Sequence, residues 1–240
     1  MAVKKGFDVE NLGDELIERV EPAKEFVQKN SRVLIYGLGG LVILIAAIIG
    51  YRYYTNSKNE DAKNEIFKLQ LMFEKDSFNL VLNGRPDADP IRAIKSAGEI
   101  IDEYGGTKQA NLAHYYAGVA SLRLGKYDDA IEHLEKFSSD DDIIGATALG
   151  LIGDAYSEKG PDNYDDAVKY YEKAASHHSN GYTTPIYLLK AGGVYEALKQ
   201  YKKAANCYEL IKKDYPKSAE AREIDKYLER AKLMAEQENK

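Results

Sequence analysis

The side chains that most often carry chemistry, histidine and cysteine, are few in this sequence. Its four histidines are His114, His133, His177 and His178, and Cys207 is its one cysteine. Helical metal sites use spaced pairs such as HxxxH or HExxH, and neither spacing occurs here. Cys207 lies in an apolar helical pattern, which indicates a buried thiol rather than a reactive one. These residues therefore predict no metal site and no thiol chemistry.

Two other motifs resemble ligand-binding loops but lack their spacing. The acidic run DDD at residues 140–142 has neither the alternating ligands nor the glycine of a calcium loop, so it predicts a solvated turn. The run GLGG at residues 37–40 lies inside an apolar stretch, which excludes a phosphate loop. No nucleophile elbow, Walker motif or Cys–His pairing occurs. We therefore predict a protein without enzymatic activity and without a cofactor.

The longest apolar stretch is residues 33–51, VLIYGLGGLVILIAAIIGY, which contains no charged residue, amide or proline. As a helix it measures about 28 Å, close to the thickness of a bilayer's hydrocarbon core. It shows no polar face of the kind that a soluble helix has. The stretch is longer than a signal-peptide core, and no small-residue cleavage site follows it. We predict an uncleaved transmembrane helix over residues 33–54.

One face of this predicted span carries small residues. Gly39, Ile43, Ala46 and Gly50 follow one another at spacings of four, three and four, which places them on one side of a helix. Small side chains let a second helix approach closely, so we predict a helix-packing face here. The alternative is that glycine is simply common in membrane helices.

Residues 1–32 form a short arm that mixes acidic and basic side chains. Helical spacing of apolar residues predicts an amphipathic helix over 8–20. Pro22 allows a new helix to start, so we predict a second short helix over 21–30. Two interpretations stay open, a helix that lies on the membrane or a partner and a solvated arm. Lysine and arginine are slightly more numerous before the span than after it. This small bias favours an N-terminus on the inside of the membrane, although long domains can cross regardless of charge.

A repeat of 37 residues organises the chain after the span. Tyr127, Tyr164 and Tyr201 are spaced by this interval, and the spacing recurs in two further sets of positions. These sets are Ala130, Ala167 and Ala204, and Leu134, Tyr171 and Tyr208. A helix with a small residue, Gly118, Gly153 or Gly192, precedes each turn. A small residue on helix A, a Gly-x-Tyr-x-x-Ala turn into helix B and a final proline are typical of tetratricopeptide repeats (TPRs).

The predicted fold is therefore all-α, with a single N-terminal transmembrane helix followed by a TPR α-solenoid. The soluble domain covers residues 55–240. We predict three full repeats over about 111–144, 146–181 and 185–218, a degenerate unit over 59–106 and a capping helix over 219–237. Within the degenerate unit, helical patterns cover residues 59–82 and 90–104.

A solenoid of helical hairpins presents its A helices on a concave surface, where outward positions are free to bind a partner. Alignment on the three glycines gives the candidate peptide groove, although some of these positions could instead contact the neighbouring repeat. The groove residues are Tyr115, Val119, Leu122, Arg123, Thr147, Asp154, Ser157, Glu158, Leu189, Gly193 and Glu196. This mixture of tyrosine and aliphatic groups with few charges suits extended or helical apolar segments. The net charge of −6, without a basic stripe, excludes nucleic acid as a partner.

Anchor and repeats together resemble the YfgM-like ancillary translocon proteins. The similar segments are EFVQKN at 25–30 and GYRYY at 50–54, on either side of the span, and YGGT at 104–107. Residues 148–156 and 183–192 resemble variants of that family from Bacteroidota-type bacteria. The resemblance implies a bacterial inner-membrane protein with a periplasmic TPR domain. It also implies three kinds of protein partner: Sec translocon subunits, a membrane-anchored prolyl-isomerase-like chaperone and newly exported polypeptides.

Two alternatives share the anchor and the repeats. The protein could be a scaffold or assembly factor of another envelope or secretion complex. It could also be a receptor of opposite topology, with its repeats facing the cytosol. Because the charge bias around the span is small, the sequence leaves these alternatives open.

Overall fold

A computed structural model of the protein describes residues 29–89 and 91–238. The helix predicted over residues 8–20 lies outside the described residues, as does nearly all of the one predicted over 21–30. The chain divides into two compact units, Met1–Thr55 and Asn56–Lys240. Over the described residues the predicted all-α class is confirmed, because they contain no strand beyond one isolated bridge between Arg85 and Ile94.

Nearly all of the described part of the first unit belongs to one helix. This helix, α1, has the bounds Ser31–Glu74, so its residues after Thr55 belong to the second unit. The most apolar 18-residue window within its portion Ser31–Lys58 has a mean hydropathy of 2.6, and none of that window is buried. It is the one helix of the described chain that is long and apolar enough to cross a membrane. The predicted span over residues 33–54 falls inside it.

The second unit is a series of helices joined by short turns. After α1 come α2 (Phe78–Asn83), α3 (Ala97–Glu103), α4 (Lys108–Arg123), α5 (Tyr127–Lys136), α6 (Asp142–Glu158), α7 (Tyr164–Ser176), α8 (Thr183–Ala197), α9 (Tyr201–Asp214) and α10 (Ile224–Gln237). Single turns of 3₁₀ helix, Pro161–Asn163 and Glu220–Glu223, precede α7 and α10. The helices α4 and α5, α6 and α7, and α8 and α9 pack pairwise as hairpins, and α10 packs on α9.

Three clusters of buried side chains hold these hairpins together. The first joins the end of α1 to α3 and α4 through residues such as Leu69, Ile100 and Ala113. The second joins α5 to α6 around Leu134 and Ile152. The third extends from α7 to α10 and has Tyr208 near its centre. Each hairpin thus buries its apolar face against the next, which is how a solenoid builds a core from units that are too small alone.

The helix predicted over residues 59–82 is interrupted. α1 ends at Glu74, and Asp76 adopts the left-handed conformation with φ of 53°. The N–H of Asp76 donates to the carbonyl of Phe73 and that of Ser77 to the carbonyl of Met72. This pattern closes a helix C-terminus, and aspartate tolerates the left-handed position better than most side chains do.

The helix predicted over residues 90–104 is shorter than its apolar pattern indicated. Arg85 and Ile94 exchange two backbone hydrogen bonds of 2.7 and 2.9 Å, so residues 91–96 are not helical. The side chain of Asp89 accepts the N–H of Ile91, and such local bonds compete with helix formation. α3 begins only where Ser96 and Glu99 form a capping box. The degenerate unit therefore has a shorter second helix than a full repeat.

Candidate peptide-binding cleft

A cleft of about 580 Å³ opens between the first helices of the three hairpins, α4, α6 and α8. Polar and charged groups make up most of its wall, and apolar surface comes from leucine and tyrosine. The cleft is lined by Leu122, Arg123, Gly125, Tyr127, Leu151, Asp154, Ser157, Glu158, Tyr171 and Lys190. It therefore lies on the surface that the sequence assigns to the A helices.

Glycines on the A helices bring each B helix close enough to form this wall. A Cβ atom added at Gly118 would lie 2.5 Å from the side chain of Leu134, and one at Gly153 would lie 2.7 Å from the ring of Tyr171. At Gly192 the corresponding distance to the ring of Tyr208 is 2.3 Å. The prediction that small residues at these repeat positions permit close helix packing is confirmed.

Asp154 is the centre of the polar network in the cleft. Its carboxylate oxygens lie 2.6 and 2.8 Å from Nζ of Lys190 on the next A helix. Tyr171, on the B helix of the same hairpin, donates its hydroxyl to Oδ1 of Asp154 at 2.7 Å. The network therefore ties two successive repeats together at the base of the cleft.

Aromatic rings surround the lysine of this network. Nζ of Lys190 lies 5.7 Å from the ring centroid of Tyr171 and 5.9 Å from that of Tyr187, within the range of a cation–π interaction. Burial, and secondly the negative charge of Asp154, raise the pKa of the Tyr171 hydroxyl, which remains a donor. Lys190 keeps 40% of its side-chain surface exposed, so a ligand can reach it.

Five of the predicted groove residues meet in this cleft. They are Leu122 and Arg123 from α4, and Asp154, Ser157 and Glu158 from α6. The cleft thus contains an exposed cation, an exposed anion, a hydroxyl and an aliphatic surface. This set can hold a polypeptide by hydrogen bonds, charge and apolar contact.

The other predicted groove residues on α4 and α6 contact neighbouring elements. Tyr115 is half-buried, and its ring centroid lies 5.1 Å from that of Phe137. Val119 is only 7% exposed, so the expectation that it faces a ligand is corrected. Its position falls on the inner side of α4. Thr147 is half-buried and lies beside Tyr187.

The predicted groove residues on α8 are spread along that helix. Leu189 is half-buried against the third core cluster. Gly193 is exposed, with open space where a Cβ would stand. Glu196 accepts hydrogen bonds from the guanidinium of Arg230 on α10. None of these three lines the cleft described above.

Sequence reasoning missed five cleft residues: Gly125, Tyr127, Leu151, Tyr171 and Lys190. Leu151 and Lys190 each stand two residues before an aligned glycine, Gly153 and Gly192, so the repeat register itself carried the signal. Tyr171 was recognised only as a repeat position on helix B. Its hydroxyl reaches the cleft because Gly153 leaves space for its ring.

The histidines and the cysteine lie away from this cleft. Nδ1 of His114 and Nδ1 of His133 are 3.1 Å apart across the α4–α5 hairpin, which fits one hydrogen bond between neutral imidazoles. Burial lowers the pKa of both histidines. Burial also raises the pKa of Cys207 to about 11. Within residues 29–89 and 91–238, no group of three or more His, Cys, Asp or Glu side chains could hold a metal ion.

The predicted packing face of the apolar helix is open. Gly39 and Gly50 have nothing within 4 Å of an added Cβ, and Ile43 is 71% exposed. Ala46 is exposed as well. The same open space surrounds Gly40, on another side of the helix. In the first unit, taken by itself, this face is therefore free to receive a second helix.

Comparison with known proteins identifies the class to which this fold and cleft belong. The family model for the tetratricopeptide repeat-like domain matches residues 24–226, so the chain belongs to that family. Its helical hairpins are TPR-like repeats, and the family is typically a non-enzymatic protein-interaction scaffold. The match includes both the apolar helix and the three hairpins.

One solved structure with which the chain can be compared is the crystal structure of MamA. The two share 20% sequence identity, and the alignment covers 60% of this chain and 87% of MamA with a TM-score of 0.42. No curated protein sequence matches the chain.

Proposed function

We propose that this protein is a membrane-anchored TPR scaffold that binds protein segments in the cleft between α4, α6 and α8. The observation that carries the proposal is the meeting of Arg123, Ser157 and Glu158 with the Asp154–Lys190 pair in one open cleft on the A helices. The predicted anchor over residues 33–54, which lies within the apolar segment Ser31–Lys58, supports the membrane-anchored part of the proposal. An anchored cleft meets its ligands at a high effective concentration, so weak individual contacts are sufficient.

The proposed setting is the bacterial inner membrane, with the N-terminus in the cytoplasm and the TPR domain in the periplasm. The proposed partners are Sec translocon subunits, a membrane-anchored prolyl-isomerase-like chaperone and newly exported polypeptides. The sequence segments on either side of the span support this setting. In this role the protein is an ancillary translocon subunit with chaperone-like binding of unfolded chains.

Binding in the cleft is tested with a fluorescent, permanently unfolded protein that has been reduced and alkylated. Ser157→Trp places an indole in the cleft and should weaken binding, whereas Glu209→Trp on the exposed surface of α9 is the matched control. We expect about a tenfold loss of affinity for the first variant only. Equal affinities for both variants would place client binding elsewhere on the protein.

The setting is tested in cells. Proteolysis of intact spheroplasts should remove the TPR domain if it is periplasmic, whereas protection would support the cytosol-facing receptor. Purification in mild detergent should recover Sec subunits. Recovery of one stoichiometric partner from another envelope complex, without Sec subunits, would instead support a scaffold of that complex.

Two adjacent glycines of the span provide a matched pair of variants that tests whether a membrane partner packs against its small-residue face. Gly39→Ile adds bulk to the proposed packing face, and Gly40→Ile adds the same bulk on another side of the helix. We expect only the Gly39 variant to reduce the recovery of the membrane partner. Equal recovery with both variants would mean that this face makes no close helix contact.

A further inference from the structure

Three surface depressions of the TPR domain join along the edge where α6 and α8 begin and α7 and α9 end. The first, about 500 Å³, lies between residues 140–143 and Tyr182. The second, about 580 Å³, lies between Tyr182 and residues 214–218. The third, about 240 Å³, shares Asp214 and Tyr215 with the second. Because the first two share Tyr182 and the last two share Asp214 and Tyr215, we treat the three as one surface and name it the edge tract.

Large apolar side chains are exposed in the edge tract. Tyr182 is 77% exposed and forms the wall between the first two depressions, and Ile143 is 52% exposed in the first. Leu210 is 45% exposed at the rim of the third depression, over the buried side chains of Ala175 and Leu188. A run of exposed apolar groups rimmed by polar ones is typical of an interaction surface.

The exposed ring of Tyr182 stands on an ordered loop. Oδ1 of Asn180 accepts the backbone N–H groups of Tyr182 and Thr183, each at 2.9 Å. The hydroxyl of Thr184 donates to the carbonyl of Ala175 at 2.9 Å, which fixes the start of α8 on the end of α7. The loop therefore holds the backbone of Tyr182 in place while its side chain stays in solvent.

The charge of the edge tract is strongly negative. Its lining contains five carboxylates and one lysine: Asp140, Asp141, Asp142, Glu172, Asp214 and Lys217. Three of the carboxylates have partners: Asp141 caps α6, Asp142 contacts His178 and Glu172 accepts from Tyr195. Within the described chain, the carboxylates of Asp140 and Asp214 make no ion pair and no side-chain hydrogen bond. The cleft of the proposed function, in contrast, balances two cations against two anions.

We propose that the edge tract docks a cationic amphipathic segment of a partner protein. Apolar side chains of that segment enter the second and third depressions beside Tyr182 and Leu210, and its lysines or arginines face Asp140 and Asp214. The same carboxylates repel nucleic acid and anionic lipid, so charge complementarity favours a basic polypeptide. The tract and the A-helix cleft are separate surfaces, and each can be tested without the other.

The test uses the full-length protein in zwitterionic nanodiscs and a fluorescent leucine–lysine helical peptide as the probe. A peptide of the same length with glutamine in place of lysine is the charge control, and empty nanodiscs give the background. We expect anisotropy to show binding of the lysine peptide that is about tenfold tighter than that of the glutamine peptide and that weakens with salt.

Paired variants locate the binding. Tyr182→Ala should lower the affinity about tenfold, whereas Ile91→Ala removes an exposed apolar side chain outside the tract and should not. The double variant Asp140→Asn and Asp214→Asn should lower the affinity for the lysine peptide about threefold, whereas the control Asp162→Asn, outside the tract, should not. Leu210→Ser removes apolar surface at a second position of the tract, so it should lower the affinity independently of Tyr182→Ala. Equal binding of the two peptides, or equal affinities of the Tyr182 and Ile91 variants, would overturn the proposal.

Discussion

Two adjacent glycines in α8 allow a direct test of the hairpin packing. Gly192 faces the buried ring of Tyr208, and an added Cβ would stand 2.3 Å from a ring carbon. Gly193, one residue later, is exposed and has nothing within 4 Å of an added Cβ. Both substitutions to alanine gain the same helix propensity, about 1 kcal/mol. Only the substitution at Gly192 must also displace a neighbouring side chain, the ring of Tyr208.

The size of the effect follows from how well Tyr208 is held. Its side chain is 1% exposed and packs beside Tyr227 and within the third core cluster, so it has little room to move. Overpacking of this kind costs about 1–3 kcal/mol. After the gain in propensity, Gly192→Ala should lower the free energy of unfolding by up to about 2 kcal/mol. Gly193→Ala should raise it by up to about 1 kcal/mol.

The measurement is thermal unfolding followed by circular dichroism. For a domain of this size, 1 kcal/mol shifts Tm by about 2–4 °C, so the two variants should move in opposite directions. Combining Gly192→Ala with Tyr208→Leu should reduce the cost of the glycine substitution, because the ring that it meets is gone. If Gly192→Ala is as stable as Gly193→Ala, the close approach of α8 and α9 is refuted.

Three further predictions concern titratable groups of the TPR domain. Burial raises the pKa of the Cys207 thiol from 9.0 to about 11, so the free energy of unfolding should fall between about pH 9 and 11, and Cys207→Ala should remove this contribution. The buried thiol should also react slowly with Ellman's reagent until the protein unfolds, and fast labelling of the folded protein would contradict the burial. Burial lowers the pKa of His114 and of His133, so their contribution to stability is complete above pH 6.5, the pKa of an unfolded histidine, and is lost as the pH falls below it. His133→Gln should therefore reduce the decrease in Tm that is measured as the pH falls below 6.5. Tyr171→Phe removes the hydroxyl that donates to Asp154 and should cost about 1 kcal/mol in urea unfolding, and an unchanged midpoint would show that this bond adds no net stability.

Much of the fold could be predicted from the sequence because its signals are local or periodic. Charge-free apolar residues over one bilayer thickness predict the span, and the interval between Tyr127, Tyr164 and Tyr201 predicts the hairpins. The break at Asp76 and the bridge between Arg85 and Ile94 were not predicted, because apolar spacing does not report capping geometry or a backbone pairing.

The candidate site was predictable only in part. Repeat register placed Asp154 and Ser157 on the cleft, but the same register placed Val119 there, and Val119 is buried. The side on which a helical residue lies depends on the rotation of that helix against its neighbours. Side-chain packing sets this rotation, and one repeat alone does not contain it.

An apolar helix long enough for a bilayer, followed by helical repeats, is readable from the sequence alone because both signals are local or periodic. Which side chains meet depends on the packed structure. Lys190 joins Asp154, and Tyr171 reaches both, because glycines on the A helices let neighbouring helices come close. The edge tract likewise exists only after folding, because its walls come from segments around residues 140, 182 and 214. Contacts between residues so far apart in the chain depend on packing, which the local pattern of the sequence does not specify.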